Sequence, residues 1–225
     1  MCDCQPTKYP VIKSKIALFQ NHPECSTQCC DGMIQALAPK YQIDIMSVED
    51  IRNQKFRSYD CVAFPGGIGD YSSYDKFFRR RTENAVAEFV AKGGAYLGIC
   101  MGAYWAGSHW FDILDGADTV QYIVQPTADI KRPYGTVAPV TWNGQQENMF
   151  FYDGCAIPGD ETKFQTVGRY ANGDPMAIIQ NRIGIIGCHP ESMDFWYQEP
   201  YAYLSKHWHQ GHHHRLLLEF TQQFV

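Results

Sequence analysis

The sequence predicts an α/β fold: a three-layer α/β/α sandwich with a mostly parallel central sheet and an antiparallel β extension. Short apolar runs of strand length alternate with stretches of helical period through the first half of the chain, the rhythm of parallel strands covered by helices. Glycine-rich turns close several of those strands. Between about residues 136 and 180 the pattern changes to short strands separated by Gly, Asn and Asp turns, as antiparallel neighbours require.

Lys15-Ile16-Ala17-Leu18-Phe19 reads as the first strand, followed by a helix over Thr27 to Ala38 and a strand over Tyr41 to Met46. Cys61 to Phe64 continues the sheet and runs into Pro65-Gly66-Gly67. A helix over Thr82 to Ala91 is expected because Ala85, Val86, Phe89 and Val90 recur at helical spacing. Gly93-Gly94 then turns the chain into a buried strand ending near Leu97, and Ala103 to Ala106 reads as helical. Val137 to Trp142 and Met176 to Gln180 belong to the antiparallel extension, expected to pack on the same domain. Arg182 to Cys188 is a final β-branched strand.

At 225 residues the chain is long enough to bury a substantial core without metals or disulfides. One domain over residues 1–225 is expected, with residues 1–14 as an N-terminal tail. The net charge is −5 with no long basic run, which argues against nucleic acid or an anionic membrane as partner. No apolar stretch approaches a membrane-spanning length. Met1 to Pro6 lacks the features of a signal peptide. Nine cysteines cannot all pair internally, so free thiols in a reduced, cytoplasmic protein are expected.

Cys2, Cys4, Cys25, Cys29 and Cys30 cluster in sequence, but their spacing fits no standard zinc pattern. Neither a metal nor a cofactor is expected. Lys206 to Arg215 holds five of the chain's eight histidines. It reads as a polar loop before a final amphipathic helix, because local clustering does not guarantee convergence on an ion. Phe195, Trp196, Tyr197, Tyr71, Tyr74 and Trp105 are candidates for either the core or a pocket. Asp70, Glu199 and Arg79 to Arg81 read as a solvated charged face.

Chemistry concentrates in two fragments, Gly98-Ile99-Cys100-Met101-Gly102 and His189-Pro190-Glu191. Cys100 falls at a strand-to-helix elbow, where a strained backbone presents the side chain and flanking glycines let strand and helix approach. The helix N-terminus should favour the thiolate. Pro190 keeps the preceding residue extended, so His189 and Glu191 project to one side and the carboxylate can orient the imidazole. Nucleophile, base and orienter together point to acyl transfer. Backbone amides of Gly67 and Met101 are candidates for an oxyanion hole; Gly66-Gly67 as an ordinary turn is the plainer alternative.

In this order, Pro65-Gly66-Gly67, Gly98 to Gly102 and His189-Pro190-Glu191-Ser192 resemble the class I glutamine amidotransferase-like superfamily. Gly93 to Ala106 looks most like the domain at the N-terminus of eukaryotic-type biotin–protein ligases and found as free-standing bacterial proteins. Tyr152-Asp153-Gly154 is loosely similar to a segment of that group. The resemblance implies a flavodoxin-like sandwich and a catalytic triad of Cys100, His189 and Glu191, with Gly66 and Tyr104 beside the substrate. It departs at Tyr104, where glutamine-hydrolysing relatives usually carry a glutamine that holds the substrate. The expected function is cysteine-dependent hydrolysis or transfer of a small-molecule amide or acyl group through a thioester, alone, as a homo-oligomer or beside a separate synthetase or ligase subunit. The competing reading is a non-catalytic binding or regulatory module, with Cys100 a small buried hydrophobe and His189 a hydrogen-bonded core residue.

Overall fold

Alternation along β1 (Lys15–Phe19) sets the two faces of the sheet. Ile16 and Leu18 enter one hydrophobic cluster, and Ala17 and Phe19 enter another, as the two-residue period of a strand dictates. The computed structural model describes residues 13–68, 71–78 and 80–225. The expected tail through residue 12, with Cys2 and Cys4, and also Asp70 and Arg79, lie outside the described residues, as do the side chains of Tyr71, Arg80 and Arg81.

The helices are α1 (Thr27–Leu37), α2 (Val48–Arg52), α3 (Tyr71–Phe77), α4 (Arg80–Ala91), α5 (Met101–Tyr104) and α6 (His212–Thr221). Cys30, Met33 and Leu37 of α1 join Leu217 and Phe220 of α6 on the first face. Ile51 of α2, Tyr74 of α3 and Val86 and Phe89 of α4 cover the second. Three layers result, as the alternation predicts. Ser26 caps α1 by accepting from the Gln28 amide, a contact typically worth about 1 kcal/mol. Helix α2 was not expected, although Ser47 and Asp50 form the capping box that signals it.

Strands β2 (Gln42–Met46), β3 (Cys61–Phe64), β4 (Ala95–Ile99) and β11 (Ile183–Ile186) join β1 in a parallel block. Their order, β2-β1-β3-β4-β11, is that of doubly wound flavodoxin-like sheets. Beyond β11 the same sheet continues through β10 (Pro175–Gln180), β9 (Gln165–Tyr170), β6 (Thr136–Trp142) and β7 (Gln145–Phe151), all antiparallel. The extension is therefore hydrogen-bonded into the central sheet rather than merely packed on it. Strands β5 (Val120–Gln121) and β8 (Cys155–Ala156) pair separately.

This topology brings three chain segments to one edge. Strands β3, β4 and β11 are neighbours, and their carboxyl ends lead respectively into Gly66-Gly67, Cys100 and His189. Open parallel sheets place their sites at such ends. Beneath the elbow, Trp105 packs against Phe64 and Phe78 with ring centroids 5.7 and 5.2 Å apart. Tyr74 and Trp105 are thus core residues that anchor α5, not pocket walls. Among the described residues, no helix is long and apolar enough to cross a membrane.

Candidate active site

Cys100 adopts φ 50° and ψ −105°, a conformation that costs a non-glycine residue about 1–3 kcal/mol and persists only when its surroundings enforce it. Here the Cys100 amide donates to Ile186 O at 2.8 Å, and the Gly102 amide donates to Pro65 O at 3.2 Å. A Cβ at Gly98 would lie 2.4 Å from Gly102 O, so only glycine lets strand and helix meet there. The elbow predicted from Gly98 and Gly102 is present.

His189 sits past the end of β11, its amide bonded to Phe150 O at 2.8 Å. Its Nδ1 donates to Glu191 Oε1 at 2.8 Å, as the extended His189-Pro190-Glu191 segment predicts. Both side chains are almost fully withdrawn from solvent, and Glu191 Oε2 has no hydrogen-bond partner. Burial opposes an imidazolium, but the Glu191 carboxylate and the neighbouring sulfurs of Cys100 and Cys29 outweigh it and hold the His189 pKa well above its ordinary value. The surroundings therefore favour the protonated ring.

Cys100 is 4% exposed, and its sulfur donates to Tyr152 O at 3.7 Å. Tyr152 starts a short loop in which Asp153 has φ 55°. Gln121 Nε2 donates to both Asp153 carboxylate oxygens at 2.8 and 2.9 Å, and Tyr104 Oη donates to Asp153 O at 3.3 Å. Tyr104 thus braces this loop. It does not line the neighbouring cleft.

That cleft, of about 370 Å³, is bordered by His189, Cys29, Gly67, Tyr152, Trp196 and Glu199 among others. Phe195 and Trp196 are on its wall, whereas Tyr197 is buried behind them. No lysine or arginine among the described residues lines it. Gly67 borders it with its amide uncommitted to the bridge to Cys25, whose bonds run from Ser26 N to Gly66 O and from Ile68 N to Glu24 O. Met101 opens α5, where the first amides have no intrahelical acceptor. Gly66 lies against the imidazole: a Cβ there would come 2.5 Å from His189 Cε1.

Several solved structures share the fold of this chain at low identity. A glutamine amidotransferase from Thermotoga maritima superposes with a TM-score of 0.59 at 14% identity, covering 95% of this chain and 92% of that one. A chain of PurLQS from Thermotoga maritima gives a TM-score of 0.59 at 15% identity, covering 80% and 89%. A glutamine amidotransferase from Methylobacillus flagellatus gives a TM-score of 0.54 at 13% identity, covering 87% and 76%. No curated protein matches the sequence. Residues 20–121 match the family described as biotin-protein ligase, N terminal. Over residues 20–121 the chain is similar to that family, and its fold is that of class I glutamine amidotransferases.

The matched residues hold Gly66, Gly67, Cys100, Met101 and Tyr104, while His189 and Glu191 arrive from beyond them. Reading the sequence missed Cys29, whose sulfur joins the site from α1. Burial pushes its thiol up to about 11, partly offset by a hydrogen bond to His189. The available signal was the pair Cys29 and Gly32 on one helical face behind the Ser26 cap. Cys188, expected to pack in the strand, is fully buried, and burial raises its thiol to about 12.

The histidine tract divides, and the helix starts inside it. His209 Nδ1 accepts from the Gly211 and His213 amides at 3.1 and 3.3 Å, which leaves Nε2 to donate to Ser192 O at 3.1 Å. His214 Nε2 donates to the same carbonyl at 3.0 Å. His212 and His213 instead hold Glu147, at 2.8 and 3.2 Å. The tract braces the segment that carries Glu191.

Proposed function

We propose that this protein is a cysteine-dependent amide hydrolase or amidotransferase acting through a thioester on Cys100. The observation that carries the reading is the enforced positive φ of Cys100 at the same sheet edge as the buried His189–Glu191 pair. Packing alone does not call for a strained cysteine facing a charged imidazole. Cys100, as the thiolate paired with His189, attacks the carbonyl carbon of an amide, and the Gly67 and Met101 amides receive the oxyanion. His189 then gives its proton to the leaving amine, and Glu191 keeps the ring oriented. Water hydrolyses the thioester with His189 as base.

The acyl donor occupies the aromatic cleft. Glutamine is a poor fit, because Tyr104 is spent on the Asp153 loop and no described lysine or arginine in the cleft would meet an α-carboxylate. A separate synthetase or ligase subunit is a candidate partner, since PurLQS is among the structural neighbours. Seven cysteines among the described residues are free, in keeping with a reducing, cytoplasmic setting.

One observation favours a second reading. The Cys100 sulfur is bonded to Tyr152 O and is not on the cleft wall, as suits a regulatory module that keeps the fold without turnover. Intact-mass measurement after incubation with glutamine, γ-glutamyl compounds and biotinyl amides separates the two. An acyl adduct on Cys100 that is absent in Cys100→Ser supports the enzyme. No adduct with any of them, together with unchanged alkylation of Cys100 in His189→Ala, supports the module.

A further inference from the structure

Cys29, His189 and Glu191 contribute one sulfur, one ring nitrogen and one carboxylate oxygen that all lie within 4.8 Å of one another, and all three residues are buried. A tetrahedral zinc ion held at about 2.3 Å from sulfur and about 2.0–2.2 Å from nitrogen and oxygen spaces its ligands roughly 3.3–3.7 Å apart, so side-chain shifts of at most about 1 Å close the cluster around it. A second, independent observation points into this cluster. Glu191 Oε2 is fully buried and has no hydrogen-bond partner, a state that costs free energy unless a cation or donor meets it. The cleft borders both Cys29 and His189, which leaves an approach for a fourth ligand.

The elements carrying these groups are rigidly joined. A Cβ at Gly32 would come 2.0 Å from Glu191 O, so α1 lies directly on the segment bearing the other two ligands. Thiolate, imidazole and carboxylate together suit zinc, whereas magnesium and calcium demand oxygen ligands.

We propose that Cys29, His189 and Glu191 form a three-ligand zinc site whose fourth position opens to the aromatic cleft. Binding displaces the Cys29 thiol proton and the proton on the coordinating nitrogen of His189 to solvent, leaving a thiolate and a neutral imidazole on the ion. The ion and the Cys100 chemistry then compete for the same His189–Glu191 pair. Zinc inhibits turnover, a consequence that rests on the hydrolase reading; binding itself does not.

Chelator-treated protein is titrated with zinc against a chromophoric competitor, and with cobalt by absorption spectroscopy. Wild type and Cys100→Ser each take up one equivalent and show a sulfur-to-cobalt charge-transfer band. Cys29→Ser loses that band and binds zinc at least 100-fold more weakly, as does His189→Ala. Circular dichroism confirms that each variant is folded. Absence of stoichiometric uptake by the wild type overturns the proposal. So does a band retained in Cys29→Ser and lost in Cys100→Ser, which assigns the ion to the nucleophile. Neither readout uses a substrate, so failure of the hydrolase reading leaves the test intact.

Discussion

The carbonyl oxygen of Glu191 occupies the space that a side chain at Gly32 would fill, 2.0 Å from the Cβ built there. Helix α1 therefore touches the His189-Pro190-Glu191 segment by backbone. Gly32→Ala must push the two apart, and overpacking of this kind costs about 1–3 kcal/mol. A lowered urea midpoint is expected, with a fall in the rate of Cys100 acylation larger than the stability loss explains. A variant with wild-type values of both would remove α1 from the positioning of Glu191.

Glu191→Gln preserves shape and removes the charge that sustains the His189 imidazolium. A roughly 10²–10⁴-fold loss in kcat/KM is expected from the wrong tautomer and the lost field, with the His189 pKa dropping in NMR titration. In the wild type, a raised histidine pKa contributes stability that is complete below about 6.5 and lost as pH rises through the folded value. Activity that needs this proton on the leaving amine declines on the alkaline side. A mutant profile superimposable on the wild type would show that Glu191 does not govern the proton.

Much of this site was readable before any coordinates. Gly98 and Gly102 marked the elbow because glycine is the local answer to strand–helix contact, and Pro190 marked the extended segment that aligns His189 with Glu191. Gln121 and the Tyr152 carbonyl were not readable, since their roles follow from which elements the sheet order makes neighbours, and Cys29 left only the faint signal of a face shared with Gly32. The histidines of residues 207–214 were read as a polar loop ahead of a final helix, and that helix begins within them at His212. Their density suggests metal, yet the structure spends His209 and His214 on backbone carbonyls and amides. Sequence clustering reports proximity along the chain, whereas ligation needs convergence in space.

Gln121 holds both carboxylate oxygens of Asp153 and thereby keeps Tyr152 O on the Cys100 sulfur. Gln121→Ala releases that loop, and iodoacetamide should then alkylate Cys100 several-fold faster than in the wild type. Asp153→Gly tests the backbone separately, because glycine accepts the φ of 55° without penalty while abolishing the side-chain tether. Equal alkylation rates in all three proteins would mean that the Tyr152 carbonyl does not shield the thiol.

Burial, reinforced by mutual repulsion, holds His209 down to about 3; burial, partly opposed by Glu147, holds His213 down to about 4. His212 and His214 face the same cluster, and Glu147 is its acidic member. A histidine with a depressed folded pKa is neutral in the native state and takes up a proton on unfolding below about 6.5. Stability is therefore complete above that pH and falls progressively towards 4 and 3, as the unfolded chain binds more protons. Protonated His209 could not accept the Gly211 and His213 amides, so α6 and the Ser192 carbonyl should loosen first. Hydrogen-exchange protection factors, corrected for the intrinsic pH dependence of exchange, are expected to fall between pH 7.5 and pH 5 at residues 209–214 and 191–192 ahead of β1 to β4. His209→Asn retains an acceptor but carries no titrating ring, and its stability should fall less steeply between pH 6.5 and 4 than that of the wild type. An equal slope in variant and wild type would assign the acid sensitivity to the carboxylates instead.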